Sequence, residues 1–354
     1  MSLSPIMSNS LPKIESDVDL TSMNTMGVRA IAGTFVNIQS IEELKALYDH
    51  GLFDEHDPIV LGGGSNMLMI DDPGEPVLKM SITGVQIETA GNGNVLLTAG
   101  AGENWHKLVE LAVEKGLGGI ENLALIPGTA GAAPIQNIGA YGVELKDCFV
   151  RLTAFNTETG EIEIFDQDEC RFGYRDSIFK NELKGARIIC DISLKLSEAG
   201  RKLETGYRAL ADHLKKKGVE KPGLRDIFDS VVEIRRSKLP DPAEIGNAGS
   251  FFKNPVVSQN KYSRLIKSFP GMPSYPIGDD EYKIPAAWFI DQAGWKGKQF
   301  GNVGTYKNQA LVLVNLGGAT GAEIYRHALK IRDSVKEKFG VDLNPEVNIV
   351  GRLH

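Results

Sequence analysis

Three short segments of this sequence concentrate side chains from which acid–base and electrostatic catalysis can be built. Around Arg175 the chain reads Phe-Gly-Tyr-Arg-Asp-Ser, which puts an arginine beside aromatic residues and an acid. Around Ser250 it reads Gly-Asn-Ala-Gly-Ser-Phe-Phe-Lys-Asn-Pro, which puts a serine and a lysine among small and aromatic residues. Glu346 lies in Asn-Pro-Glu-Val, at the entrance to a predicted strand. The three segments offer a cation, a hydroxyl and a carboxylate.

Each segment also has an interpretation without catalysis. Arg175 could form an ion pair with Asp176 or another acid. Ser250 could be a turn or helix-cap hydroxyl, and Glu346 a solvated charge at a strand end. Taken one at a time, these structural roles are the more frequent ones. Because no histidine lies near Ser250 in the sequence and no Gly-x-Ser-x-Gly elbow occurs, a hydrolase triad has little support.

Two glycine-rich loops are candidates for binding an anionic ligand. The first is Gly-Gly-Gly-Ser-Asn at 62–66, after a short predicted strand, and the second runs through 127–131 to 136–142. Successive glycines let backbone N–H groups converge on an anion such as a pyrophosphate, although either loop alone is more often a tight turn. The stretch 125–142 contains no charged residue, yet it offers Gln, Asn and Tyr to orient a ligand. The pair of loops therefore favours a bound cofactor.

A classical dinucleotide-binding fingerprint is not predicted. A strand at 95–99 runs into Gly100-Ala101-Gly102 and then a helix, but Trp105 occupies the position of the third glycine. That glycine lets helix and strand pack closely, and the bulk of tryptophan blocks the approach. No Gly-x4-Gly-Lys-Ser/Thr occurs either, so a P-loop is excluded.

The elements that must position these segments follow from hydrophobic periodicity and turn residues. A glycine turn at 91–93 predicts a hairpin, and Thr320 with Glu323 predicts a capping box that opens a helix ending at Gly340. Between 197 and 222 the chain becomes polar and charged, which indicates a domain boundary. Strands are predicted at 58–61, 77–80, 85–89, 94–99, 149–155, 161–165, 187–196, 310–315 and 347–350, and further helices at 41–50, 103–115, 224–236, 259–268 and 285–293.

Composition narrows the class of protein. The 354 residues suggest two or three domains, and 42% hydrophobic and 24% charged residues are typical of a globular protein. A net charge of −7 argues against a nucleic-acid binder, and no apolar run reaches the roughly 20 residues of a membrane helix. The first twenty residues resemble a frayed tail rather than a signal peptide. Three widely spaced cysteines predict buried thiols without disulfides, and six scattered histidines predict no metal.

Taken in order, these segments resemble the UDP-N-acetylenolpyruvoylglucosamine reductase (MurB) family, from about residue 20 to the C-terminus. The longest and most specific similarities are 121–145 and 170–180. The others are 24–27, 61–68, 99–106, 237–242, 246–257, 289–292 and 345–347.

The resemblance implies an α+β protein with the FAD-binding fold of the vanillyl-alcohol oxidase type in two subdomains, followed by a C-terminal α+β substrate domain. It divides the chain into a tail at 1–20, FAD subdomains at 21–84 and 85–218, and the substrate domain at 219–354. It implies non-covalent FAD, NADPH as co-substrate, and reduction of the enolpyruvyl ether of a UDP-sugar to UDP-N-acetylmuramate for peptidoglycan synthesis. A cytoplasmic monomer that binds neither nucleic acid nor membrane is expected.

The resemblance also carries residue roles. Arg175 would stabilise the charge that develops on the substrate carboxylate, Glu346 would help to hold that carboxylate region, and Ser250 would donate a proton. In longer relatives a tyrosine closes over the UDP moiety; here the register looks shifted and Tyr207 is the candidate. FAD would be held by Gly62, Gly63, Gly64, Ser65, Asn66, Gly128, Thr129, Ala132, Ile138, Gly139, Tyr141 and Gly142. Substrate or nicotinamide would contact Tyr174, Tyr207, Lys238, Asn254 and Gln292.

Two other functions remain open. A flavin oxidase of the same fold would use O2 on an alcohol and often holds its flavin covalently. His106 could be the residue that holds such a flavin, although a histidine on a helix face is more often structural. A non-catalytic module that binds a UDP-sugar would have no need of flavin loops, so a bound yellow chromophore would distinguish it from the two enzymes.

Overall fold

The computed structural model describes residues 11–198 and 203–353. Within them the chain forms two compact units. The first comprises residues up to 18, 32–63 and 74–235, and the second comprises 19–31, 64–73 and 236 onward. The predicted division at 20, 84 and 218 remains a prediction. No helix in the described ranges is long and apolar enough to cross a bilayer.

Eight α-helices occur in the described residues, and several of them begin at a side chain that caps the first turn. Ser40 accepts the Glu43 N–H before the first helix, and the predicted capping box of Thr320 and Glu323 opens the last one, which ends at left-handed Gly340. The helices are α1 Ile41–Asp49, α2 Leu52–Glu55, α3 Trp105–Glu114, α4 Arg208–Lys216, α5 Leu224–Lys238, α6 Gln259–Ser268, α7 Ala286–Gln292 and α8 Gly321–Phe339. Single 3-10 turns are Thr21–Met23, Glu121–Leu123, Ala130–Ala132, Pro134–Gln136, Leu145–Asp147 and Ile178–Lys180.

The strands are mostly short. They are β1 Ile14–Glu15, β2 Val18–Asp19, β3 Ile31–Ala32, β4 Phe35–Ile38, β5 Ile59–Leu61, β6 Met67–Met69, β7 Val77–Met80, β8 Val85–Gly91, β9 Asn94–Gly100, β10 Gly139–Ala140 and β11 Val143–Glu144. They continue as β12 Phe149–Asn156, β13 Ile162–Asp166, β14 Arg187–Ser197, β15 Gly246–Ser250, β16 Val256–Ser258, β17 Tyr275–Ile277, β18 Glu281–Lys283, β19 Gln299–Phe300, β20 Val303–Thr305, β21 Val312–Asn315 and β22 Asn348–Val350.

The first unit contains two main sheets. One has the order β1-β4-β7-β5, in which β7 pairs in parallel with β4 and β5. The other is antiparallel with the order β13-β12-β14-β9-β8, and its β8–β9 pair is the predicted hairpin. Val36, Leu47 and Leu78 pack with Phe155 and Cys190 in one core, which joins α1 and the two sheets. A larger core lies between the antiparallel sheet and helices α3, α4 and α5.

The second unit contains smaller sheets. Their orders are β15-β21-β20-β19, β16-β18-β17 and β22-β6, the last pair being parallel. Ile324, Ile331 and Val335 are buried on one face of α8, as the sequence predicted.

The polar stretch that was predicted to be a connection contains a helix. α4 buries only Leu210 and Leu214, four residues apart, and apart from Ala209 and Ala211 the rest of its sequence is polar or charged. Two apolar positions are too few to give a clear helical pattern, which explains why the sequence did not predict this element.

The three cysteines are buried free thiols, as predicted. Burial raises the pKa of Cys170 and of Cys190 to about 12, so both are protonated and unreactive at neutral pH.

Candidate functional site

The two predicted glycine loops meet within the first unit. A Cβ on Gly62 would lie 2.7 Å from Thr129 Oγ1, and one on Gly63 would lie 2.8 Å from the Gly128 Cα. Any side chain at either position would push the loops apart. Among the described residues, the backbone N–H groups of Gly63, Gly128 and Thr129 have no acceptor. Converging backbone donors of this kind form a concave site for an anion.

A third glycine segment, Gly100-Ala101-Gly102, lies against the loop 127–131. A Cβ on Gly131 would lie 2.5 Å from the Cβ of Ala101, and one on Gly102 would lie 2.8 Å from the backbone of Ser81. Gly131 also donates its N–H to the Ala101 carbonyl at 2.9 Å. The segment 100–102, which does not form a dinucleotide-binding fingerprint, therefore packs against the loop 127–131 and is hydrogen-bonded to it. Trp105 is buried, and its Nε1–H donates to the Leu123 carbonyl at 3.0 Å.

The end of the first glycine loop belongs to the second unit. A Cβ on Gly64 would meet the backbone of Met23, and the Gly64 carbonyl accepts the Thr25 N–H at 3.1 Å. Ser65 follows it in that unit, and Asn66 Nδ2 donates to the Glu346 carbonyl at 3.3 Å. The five residues at 62–66 were predicted to form one cradle. Gly62 and Gly63 lie with the loop 127–131 in the first unit, and the contribution of Gly64, Ser65 and Asn66 stays a prediction.

Arg175 is held against the loop 136–142. Its backbone is left-handed, with φ 53°, and its Nη2 donates to the Gly139 carbonyl at 2.5 Å. A Cβ on Gly139 would lie only 2.9 Å from Nη1, so the glycine makes room for the guanidinium. The guanidinium carbon is 5.5 Å from the ring centre of Tyr174. Asp176, the acid beside Arg175 in the sequence, accepts a hydrogen bond from Asn181 Nδ2 at 3.0 Å.

A second arginine, which sequence reasoning missed, lies in the electrostatic field of Arg175. Arg235 Nε donates to the Leu125 carbonyl at 3.1 Å. Removal from solvent lowers the pKa of Arg235, and the positive charge of Arg175 lowers it further. Tyr141 acts in the opposite direction. The described residues give Arg235 no carboxylate partner. A largely buried guanidinium without a carboxylate partner favours an anionic ligand.

Tyr141 and Tyr207 form an edge-to-face pair with ring centres 5.4 Å apart. Tyr207 is half exposed, and burial raises the pKa of Tyr141. Asn122 joins their two segments, since its Nδ2 donates to the carbonyls of Tyr141 and Glu204 at 2.9 Å each. Sequence reasoning missed Asn122, although it falls inside the similar stretch 121–145.

The remaining predicted cofactor residues in the first unit lie around these loops. Ala132 closes a 3-10 turn and donates its N–H to the Thr129 carbonyl at 3.1 Å. Ile138 is nearly buried. Gly142 has φ 87°, and a Cβ there would lie 3.3 Å from the Glu204 side chain.

His106 has a structural role in the same unit, as the sequence favoured. Its ring stacks on Phe228 with centres 5.5 Å apart, and its Nδ1 accepts the Leu125 N–H at 3.0 Å.

In the second unit the segments of Ser250 and Glu346 are joined by backbone hydrogen bonds. Glu346 donates its N–H to the Phe251 carbonyl at 2.8 Å, and Lys253 donates to the Asn344 carbonyl at 2.9 Å. Ser250 ends β15 at a register irregularity opposite Val312. The structure therefore brings together two of the three predicted catalytic residues on adjoining segments of one unit.

The predicted substrate residues of this unit lie on, or next to, two helices, α5 and α7. Lys238 is exposed and is the last residue of α5. Asn254 Oδ1 accepts the Ala286 N–H at 2.9 Å and so ties the segment after Ser250 to the start of α7. Gln292 ends α7 with an exposed side chain, and its carbonyl accepts from Lys338 Nζ at 2.6 Å.

Comparisons with known proteins agree with this organisation. Residues 32–166 match the FAD binding domain family model, and residues 241–350 match UDP-N-acetylenolpyruvoylglucosamine reductase, C-terminal domain. The UDP-N-acetylenolpyruvoylglucosamine reductase of Flavobacterium johnsoniae is 44% identical, over 96% of this chain and 100% of its own. That of Pseudomonas aeruginosa is 48% identical, over 82% of this chain and 85% of its own.

A solved structure confirms the predicted fold class. The UDP-N-acetylenolpyruvylglucosamine reductase (MurB) of Thermus caldophilus superimposes with a TM-score of 0.67 at 24% identity, covering 96% of this chain and 100% of its own. The architecture is α+β, with an FAD-binding fold of the vanillyl-alcohol oxidase type and a C-terminal α+β domain. Since curated relatives match at 44% identity over almost the whole length, the chain belongs to the UDP-N-acetylenolpyruvoylglucosamine reductase family.

Proposed function

We propose that this chain reduces the enolpyruvyl ether of UDP-N-acetylglucosamine enolpyruvate to UDP-N-acetylmuramate with NADPH, a step in peptidoglycan precursor synthesis. The observation that carries the residue assignment is the backbone hydrogen bond from Glu346 to Phe251, which fixes the Glu346 segment against that of Ser250. Family membership supports the reaction, and the glycine loops of the first unit fit FAD because their glycines touch and their N–H groups converge.

When bound, FAD supplies the hydride carrier between NADPH and the terminal CH2 of the substrate. Addition of hydride there pushes charge onto the conjugated carboxylate. Arg175 is the preorganised cation that stabilises this charge, because its guanidinium is already fixed by the Gly139 carbonyl. Glu346 holds the carboxylate region and must be protonated or paired to tolerate an anion.

Ser250 donates the proton that the other vinyl carbon requires, and the product is a lactyl ether. A serine hydroxyl is a weak acid, so it needs a nearby cation or a water relay to act as the donor. Lys238 is our candidate for that cation. Asn254 and Gln292 are proposed to contact substrate or nicotinamide.

The proposed tyrosine contacts lie in the first unit. Tyr174 would contact substrate beside Arg175. Tyr207 would cover the UDP moiety, because its half-exposed ring already rests on the edge of Tyr141. We propose that the enzyme is a cytoplasmic monomer; its mass in solution, measured by light scattering, tests the monomer.

Anaerobic spectroscopy tests the function. The purified protein should show flavin bands that bleach with NADPH and return when the enolpyruvyl UDP-sugar is added. Bands that return only with air would identify an oxidase of the same fold. A protein that holds no flavin even after FAD is supplied would leave the UDP-sugar binding module as the better description.

A further inference from the structure

Lys79 is a cation beneath the glycine loops that the reaction does not account for. It lies in β7, where it pairs with Asn37 of β4 and Leu61 of β5. Its neighbours Leu78 and Met80 point into the core with α1, so Lys79 projects from the opposite face of the sheet. On that face Ser81 Oγ donates to Asn37 Oδ1 at 2.6 Å. Three polar side chains, those of Lys79, Asn37 and Ser81, therefore lie together on this face.

The ammonium of Lys79 contacts the glycine loop. Its Nζ donates a hydrogen bond to the Gly62 carbonyl. Partial burial lowers the pKa of Lys79, and the described residues give it no carboxylate partner. A partly buried ammonium without an anion costs stability, and an anionic ligand bound nearby would offset that cost.

The same hydrogen bond fixes the orientation of a backbone donor. In a trans peptide the carbonyl and the N–H point in opposite directions. Because the Gly62 carbonyl is turned toward Lys79, the Gly63 N–H of that peptide is turned away from Lys79. This N–H has no acceptor among residues 11–198 and 203–353, and Gly63 is packed against Gly128, whose N–H also has none.

We propose that Lys79 is a positioning residue for the diphosphate of FAD. It holds the Gly62–Gly63 peptide so that the Gly63 N–H faces the diphosphate, and it adds a positive charge behind that peptide. The ammonium acts through the peptide and takes no part in hydride or proton transfer.

Binding of three probes to the flavin-stripped protein tests this role. FAD and ADP contain the diphosphate, whereas riboflavin lacks it. We expect Lys79→Met to weaken the binding of FAD and of ADP about tenfold, because the diphosphate depends on the ammonium. The affinity for riboflavin should stay within about twofold of wild type. Lys79→Arg should stay within about threefold of wild type for all three probes. Lys45→Met, which removes an exposed lysine of α1, controls for net charge.

The melting temperature of the flavin-stripped protein separates positioning from a structural role. Loss of a partly buried, unpaired charge should leave the melting temperature of Lys79→Met equal to that of wild type or higher. A lower melting temperature together with equal losses for riboflavin and FAD would overturn the proposal, as would unchanged FAD affinity. If Lys79→Met does not fold, Lys79→Gln must show the same selective loss for the diphosphate probes. Failure of wild type to bind FAD would instead contradict the cofactor assignment.

Discussion

Glu346 donates its backbone N–H to the carbonyl of Phe251 at 2.8 Å, and Phe251 directly follows Ser250. The proposed proton donor and the proposed carboxylate partner therefore lie on segments that cannot shift independently without breaking a backbone hydrogen bond. Phe251 and Phe252 are both buried, which fixes the segment from the other side. This arrangement suits a proton donor that must meet one face of a planar alkene.

Ser250→Ala should separate the two half-reactions. Without the hydroxyl, protonation of the substrate carbon should slow by about 10²- to 10⁴-fold, the usual effect of losing a general acid. Bleaching of the flavin by NADPH should keep its wild-type rate, since no proton from Ser250 is needed there. Stopped-flow absorbance measures both steps. Ser268→Ala, an exposed serine of the same unit, is the matched control, and equal slowing of both steps would assign Ser250 a structural role.

Elements with a clear period could be predicted from the sequence, and those without one could not. The alternating and apolar runs that form β7, β9 and β14 gave boundaries within about one residue of the observed ones. β15 was missed because Gly-Asn-Ala-Gly-Ser contains no branched or aromatic residue. Its glycines are needed for tertiary reasons, since a Cβ on Gly246 would meet the backbone of Met26.

The candidate site was predictable only where its residues formed a local motif. The loops at 62–63 and 127–131 were recognised as glycine clusters, and they do meet. Arg235 was missed although the apolar spacing of α5 points to it, since it follows Val231 by four residues and Phe228 by seven, whereas Arg236 is exposed. That this face of α5 lies near Arg175 depends on long-range packing, which local sequence does not encode.

Gly139→Ala should lower the activity of the enzyme because it displaces the guanidinium of Arg175. The added methyl would lie 2.9 Å from Nη1, so the guanidinium must move from its place on the Gly139 carbonyl. We expect kcat/KM of Gly139→Ala to fall about tenfold or more. In Arg175→Lys it should fall about 100-fold, because one ammonium cannot replace a fixed guanidinium. Steady-state kinetics of the single and double variants measures the coupling. Losses in kcat/KM that multiply would show that the alanine acts elsewhere, for example on the nearby Val143 carbonyl.

Arg235 and Arg236 offer a matched pair of variants on one helix. Arg235→Met should weaken binding of the anionic substrate by about 10-fold or more, because it removes a largely buried guanidinium that has no carboxylate partner among the described residues. Arg236→Met changes the net charge equally but replaces an exposed side chain, and it should stay within about twofold. Titration of the flavin spectrum with substrate measures both affinities. Equal weakening by the two variants would indicate long-range charge alone and contradict a local anion site.

His327 should make the stability of the protein depend on pH below neutrality. It is buried, its Nε2 lies 3.1 Å from Thr305 Oγ1, and burial followed by the charge of Lys330 lowers its pKa from 6.5 to about 4. Since the folded state binds the proton less readily than the unfolded state, stability is complete above pH 6.5 and falls as the pH drops toward 4. The loss amounts to about 3 kcal/mol at most.

His327→Gln should remove that part of the pH dependence, because glutamine keeps a polar partner for Thr305 and does not titrate. Denaturant unfolding at pH 7.0 and 5.0 gives the free energy of unfolding for each variant. We expect the free energy of unfolding to change less between pH 7.0 and 5.0 in His327→Gln than in wild type. In His50→Gln, which replaces an exposed histidine, this change should equal that of wild type. An equal difference in all three proteins would mean that His327 has the same pKa in the folded and unfolded states, and it would contradict the effect of burial.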